Sequence, residues 1–152
     1  MIFTWDETWM AMADTIALRS KCTRRQVGAV IVDTANRPIA VGYNGPPATF
    51  PRNGPDCGGW CVRARTGEGG KSYDDCPSIH AEANALLFAD RRDFCGGTIY
   101  VSSACCFNCT KLIANSGIRR VVQRVESRDS HRDPSASVAF LRRCGIEVDE
   151  AK

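Results

Sequence analysis

Apolar and polar positions recur along this chain with two different periods. Between residues 4 and 20, TWDETWMAMADTIALRS, apolar side chains fall at Trp5, Trp9, Met12, Ile16 and Ala17. That is close to helical spacing, and Thr4 stands ahead of it as a cap. The runs VGAVIV (27–32) and PIAVGY (38–43) are β-rich, and Asp33-Thr34-Ala35-Asn36-Arg37 between them predicts a hairpin. SIHAEANALLFAD (78–90) has apolar residues on nearly every face and reads as a buried helix. A strand follows at TIYVS (98–102), then a helix at FNCTKLIANSG (107–117) closed by Gly117. The last elements are a strand at RRVVQRV (119–125), a helix at SASVAFLRRCG (135–145) and a short strand at IEVD (146–149).

The order α-β-β-α-β-α-β-α-β predicts an α/β fold. A mixed five-stranded sheet lies between helices in a three-layer α/β/α sandwich, and its parallel part is built from the later βαβ units. Residues 44–78 interrupt this pattern. They are rich in proline, glycine and cysteine and show no periodicity. A loop of that length inside a domain is functional or tied down. At 152 residues the whole chain, 1–152, is expected to be one domain.

Composition narrows the class. Hydrophobic content of 43% with 24% charged residues is that of a globular chain, not a disordered one. No run approaches a membrane span. The first ten residues, MIFTWDETWM, lack the basic start of a secretory signal, so a cytoplasmic location is expected. The nine cysteines then point to metal or catalysis and not to a disulfide framework, which an odd count could not complete. The net charge is only +3, and the closing GIEVDEAK offers no basic tail, so nucleic acid is not expected as a partner.

Two short motifs carry the chemistry. His80-Ala81-Glu82 and Cys106-Phe107-Asn108-Cys109 each fall where the chain enters a helix, with one strand between them. Alone, the CxxC could be a redox pair and His80 a satisfied core histidine. Together they supply one nitrogen and two thiolates for a tetrahedral zinc with its fourth position open, the mark of a catalytic site. Cys106 and Cys109 are i, i+3 neighbours and can face one ion, and a helix N-terminus favours thiolates. Glu82 is left without a ligand's job and is read as the proton shuttle. H-x-E followed by P-C-x-x-C is the layout of zinc deaminases.

At these residues the chain resembles the zinc-dependent cytidine/deoxycytidylate deaminases, and within them the dCMP deaminase branch. The resemblance runs through ALRSKCTRRQVGAVIV (17–32), GYNGPP (42–47), IHAEANAL (79–86), GGTIYV (96–101), CFNCTKLIANSGIRRVV (106–122) and LRRCGIEV (141–148). It implies a cytidine deaminase-like fold and hydrolysis of a pyrimidine nucleotide, dCMP or a modified dCMP, to dUMP and ammonia. It also implies that Asn44 contacts the substrate sugar and that Arg25 lies near the pocket. Some members hold a second, structural zinc; the matching residues here are Cys22, Cys57, Cys61 and Cys76. Family members are homo-oligomers, often hexamers. The remaining Cys95 and Cys144 read as small buried residues, and His131 as a loop residue.

One departure stands out. Cys105 occupies the place where the family usually has proline, and Ala104 before it replaces a large residue, so a roomier pocket wall is expected at Ala104. Two other functions fit the same motifs. One is zinc deamination of another aminoheterocycle: a free base, a nucleoside or a base in tRNA. The other is a zinc-stabilised binding module without turnover, which would leave Glu82 without a purpose.

Overall fold

The computed structural model describes residues 1–51, 57, 61, 76–125 and 133–152. Helix α1 (Trp5–Ala17) starts at a reciprocal cap. The Thr4 hydroxyl accepts the Glu7 N–H at 3.2 Å, and the Glu7 carboxylate accepts the Thr4 N–H at 2.7 Å. Two orphan donors of the first turn are thereby satisfied. Trp9, Met10, Ala13 and Ala17 form its buried stripe, while Trp5 is exposed and stacks on Trp9 at 5.7 Å between ring centroids.

Strands β1 (Gly28–Val32) and β2 (Pro38–Tyr43) form the expected antiparallel hairpin, with Asn36 at φ 63° in its turn. The Asn36 side chain accepts the Trp9 indole N–H at 2.8 Å, which ties the turn to α1. Helix α2 (Ala81–Leu87), the short helix α3 (Arg91–Phe94) and β3 (Thr98–Val101) follow. Helix α4 (Phe107–Ser116) ends on Gly117 at φ 98°; β4 (Arg120–Arg124), α5 (Ser135–Arg143) and β5 (Glu147–Ala151) complete the order.

The sheet runs β2-β1-β3-β4-β5. β1 is antiparallel to both β2 and β3, whereas β3, β4 and β5 are parallel, so the mixed five-stranded sheet is as expected. Its period of two separates the layers. Val30, Val32, Tyr100 and Val122 pack under α1 with Trp9, Met10 and Ala13. Ala29, Ile31, Ile99, Val101 and Val121 face the other way, onto Ala81 and Ala85 of α2, Ile113 of α4 and Leu141 of α5.

Two glycines set the distance between these layers. A Cβ on Gly28 would sit 2.0 Å from the Ala13 carbonyl oxygen, and one on Gly42 would sit 2.2 Å from that of Ala81. Helices α1 and α2 therefore rest directly on the backbone of β1 and β2, closer than any larger residue permits.

Three expectations need correction. The apolar run 78–90 is not one buried helix: α2 stops at Leu87, and Asp90 caps α3 by accepting the Arg92 N–H at 3.0 Å. Leu87 and Phe88 are 69% and 83% exposed, because α2 buries only the face that carries Ala81, Glu82 and Ala85. Cys95 and Cys144, expected to be buried, are exposed at the C-caps of α3 and α5. The last strand starts at Glu147 and runs on to Ala151, beyond the expected 149. Most of the loop expected at 44–78, and His131, lie outside the described residues.

Candidate metal centre and active site

The site grows from two helix starts. An isolated bridge joins Gly45 and Ile79, with N–H···O distances of 3.1 and 2.8 Å, and it fixes the chain two residues before α2. His80 is the extended N-cap of that helix, and the Asn84 side chain donates back to the Tyr43 carbonyl at 2.8 Å. Across from it, the chain leaving β3 passes through Ser102, Ser103, Ala104 and Cys105 to Cys106, the N-cap of α4.

His80 Nδ1 lies 3.3 Å from Cys106 Sγ and 3.4 Å from Cys109 Sγ. Ligand atoms of all three residues fall within 4.8 Å of one another, the one such group of His, Cys, Asp or Glu among the described residues. One imidazole and two sulfurs form a soft donor set suited to zinc. The Cys106 sulfur accepts the Cys109 N–H at 3.5 Å as its helix cap. A hydrogen bond from the Cys109 thiol, and then the His80 ring, hold the Cys106 thiol below the usual thiol range against the effect of burial. The same hydrogen bond, and then burial, push the Cys109 thiol up.

Glu82 sits in the first turn of α2, only 3% exposed, and does not belong to the three-residue group. Burial raises its carboxyl above the usual range, against the opposing effects of a backbone hydrogen bond and the His80 charge. Cys105 is buried beside it and turns its thiol toward the Glu82 carboxylate as a donor. Burial, and then the Glu82 charge, keep that thiol protonated. The Cys105 N–H donates to Gln123 Oε1 at 2.8 Å. Cys105 is thus no ligand; it packs in the core behind the metal group. Ala104, half-buried, stands between it and Ser103.

The other expected residues surround this centre unevenly. Arg25 donates to the buried Ser103 hydroxyl, which brings the segment before β1 against the ligand turn. Asn44 is buried and holds that segment as well: its side chain accepts the Val27 N–H at 2.8 Å and donates to the Arg25 carbonyl at 2.9 Å. Residues 18–26 line a cavity of about 650 Å³ that includes Arg19, Lys21, Arg24 and Arg25. None of the three metal-facing residues lines this cavity, and Arg25 links the two places. Among the expected quartet, Cys57 accepts the Thr23 N–H at 3.1 Å, beside Cys22, and its carbonyl accepts the Cys61 N–H at 2.7 Å. Cys22, Cys57, Cys61 and Cys76 do not gather as tightly as the His80 group.

Residues 3–125 match the family described as the cytidine and deoxycytidylate deaminase zinc-binding region. The chain belongs to this family. It is 43% identical to a deoxycytidylate deaminase of Mycobacterium phage D29, over 81% of this chain and 96% of that one. It is 37% identical to the deoxycytidylate deaminase of Schizosaccharomyces pombe over 95% of its own length, but spans only 43% of that larger protein. Among solved structures, the dCMP deaminase of cyanophage S-TIM5 in complex with dCMP and dUMP superposes with a TM-score of 0.73 at 26% identity, covering 99% of each chain. For a deaminase of this family, the motif residues are the legible part of the site. Ser103 and Gln123 were not found from sequence, since each reaches the site through a partner 78 or 18 residues away.

Proposed function

We propose that this chain is a zinc-dependent hydrolytic deaminase that converts dCMP, or a modified dCMP, with water to dUMP and ammonia. The observation that carries this reading is a His/Cys/Cys group within 4.8 Å beside a buried carboxylate that is not part of it. His80, Cys106 and Cys109 hold the zinc. When bound, zinc acidifies a water molecule for attack on the ring carbon. Glu82 takes the proton of the attacking water, delivers it to the ring nitrogen, and returns a proton to the departing amine. A structural zinc without turnover has no use for that carboxylate.

The substrate contacts follow from the surroundings. Arg25 and the basic segment 18–26 suit a phosphate, and the Asn44 amide keeps a second N–H for the sugar. Ala104 forms the wall next to the base. We read 1–152 as one deaminase domain, since the sheet and both its layers draw on elements from Trp5 to Ala151. Cys22, Cys57, Cys61 and Cys76 are assigned a second, structural zinc. Two zinc ions per chain are expected by metal analysis, falling to one in Cys76→Ser. All nine cysteines are unpaired, which suits the reducing cytoplasm. Exposed Leu87, Phe88, Phe107 and Leu112 suit a homo-oligomer, with a hexamer as the assembly expected.

Ammonia release across cytosine, cytidine, dCMP, 5-substituted dCMP, dCTP, guanine and adenine compounds tests the substrate. The deoxynucleoside monophosphates should give the highest kcat/KM. Turnover of a free base with none of dCMP would move the assignment to another aminoheterocycle.

A further inference from the structure

Gln123 is the polar residue that the proposed reaction leaves unused. It lies in β4, whose neighbours Val121 and Val122 are apolar and buried, and it is itself fully buried. In register it stands beside Val101, the last residue of β3, and therefore below the turn that carries the chain on to Cys106. Its Oε1 accepts the Cys105 N–H at 2.8 Å, while its Nε2, equally buried, has no partner among the described residues.

A buried amide that satisfies only one half of its hydrogen-bonding capacity is a net cost to the fold, and an apolar side chain of the same volume would avoid it. The cost is explained by the other partner. Cys105 has a buried N–H, which without Gln123 would itself be orphaned; a proline at that position would have none. The residue at 123 thus answers to the residue at 105.

We infer that Gln123 is a positioning residue for the metal-ligand turn. Its amide oxygen fixes the Cys105 backbone, and through it both the Cys106 ligand and the Cys105 thiol that faces Glu82. Cys105 and Gln123 act as one unit. The inference rests on the assignment of His80, Cys106 and Cys109 as zinc ligands.

The test is zinc release from the purified full chain to a colorimetric chelator, with thermal unfolding of each metal-free protein measured alongside. Gln123→Met keeps the volume and removes the acceptor. It should release zinc at least ~10-fold faster than wild type, the usual size of an effect one shell behind a metal ligand. The metal-free Gln123→Met protein should still unfold cooperatively. Gln123→Asn, whose amide is one methylene short of the N–H, should behave in the same direction. Cys105→Ala keeps the N–H and should release zinc near the wild-type rate. Replacing Cys105 by Pro in the Gln123→Met background removes the orphaned donor and should slow release again, a non-additive result.

Release at the wild-type rate in both Gln123 variants, or the same effect of Gln123→Met whether residue 105 is Cys or Pro, overturns the inference and leaves the zinc assignment standing. A wild-type protein that holds no zinc overturns both.

Discussion

Strand β4 shows two faces of one sheet put to different uses. Toward α1 it sends Arg120 and Arg124. Arg120 pairs with both oxygens of Asp6 at 2.8 Å and with Asp149 at 2.7 Å, and Arg124 pairs with Asp14. Tyr100 adds a hydrogen bond to Asp6 at 2.7 Å. These acids are 41–43% exposed, so each pair stays open to solvent. Toward α2 and α4 the same strand sends Val121 and Gln123, into a layer where Glu82, Cys105 and Cys109 are almost wholly buried. Polar groups on that side are few, close together and only partly satisfied. Stability is built where charges stay wet, and chemistry where burial makes them costly.

Changes on the buried face should act mainly on turnover, and the largest effect is expected at Glu82. Glu82→Gln should keep zinc and a thermal midpoint at or above wild type, since a buried carboxylate is removed, while kcat falls by at least ~10²-fold. Near-normal turnover would show that this face does not divide as described. Gly42→Ala tests the support beneath α2. Its added methyl meets the Ala81 carbonyl, so α2 must shift. Destabilisation of about 1–3 kcal/mol is expected from denaturant melts, together with a weaker hold on zinc through His80.

The smallest effect is expected on the α1 face. Asp6→Asn should cost under ~1 kcal/mol near neutral pH and leave kcat unchanged, as suits a pair that solvent screens. The hydrogen bond from Arg120 holds the Asp6 carboxyl below its ordinary value of 3.8. Its contribution is therefore fully present above that value and is lost as pH falls through the lower folded one. Acid unfolding curves of wild type and Asp6→Asn should converge below that range. A kcat change in this variant would break the separation of the two faces.

What could be read in advance divides along similar lines. Helix α1, the hairpin, the cap at Gly117 and the HxE and CxxC motifs were legible because each depends on neighbours within about a turn. The stretch 86–90 misled because Leu86, Leu87 and Phe88 continue an apolar run past the point where α2 stops, and hydrophobicity alone does not say that two of them face outward. Cys95 and Cys144 misled for the same reason. Arg25–Ser103 and Cys105–Gln123 are invisible locally, since the sheet alone brings them together. One sign was present: a glutamine amid valines in RRVVQRV, at a position two removed from a core residue.

That strand also sets a rule for how this molecule can change over generations. The alternation of Arg120, Val121, Val122, Gln123 and Arg124 has a period of two, so inserting or deleting one residue within 120–124 would turn each later side chain to the opposite layer. An arginine would enter the apolar core, and Gln123 would leave the ligand turn for the surface under α1. A point substitution in β4 alters one side chain and its own partner, as at Gln123 and Cys105. A change in its length alters every later one, and descendants of this chain should keep the strand's residue count even where they alter its sequence.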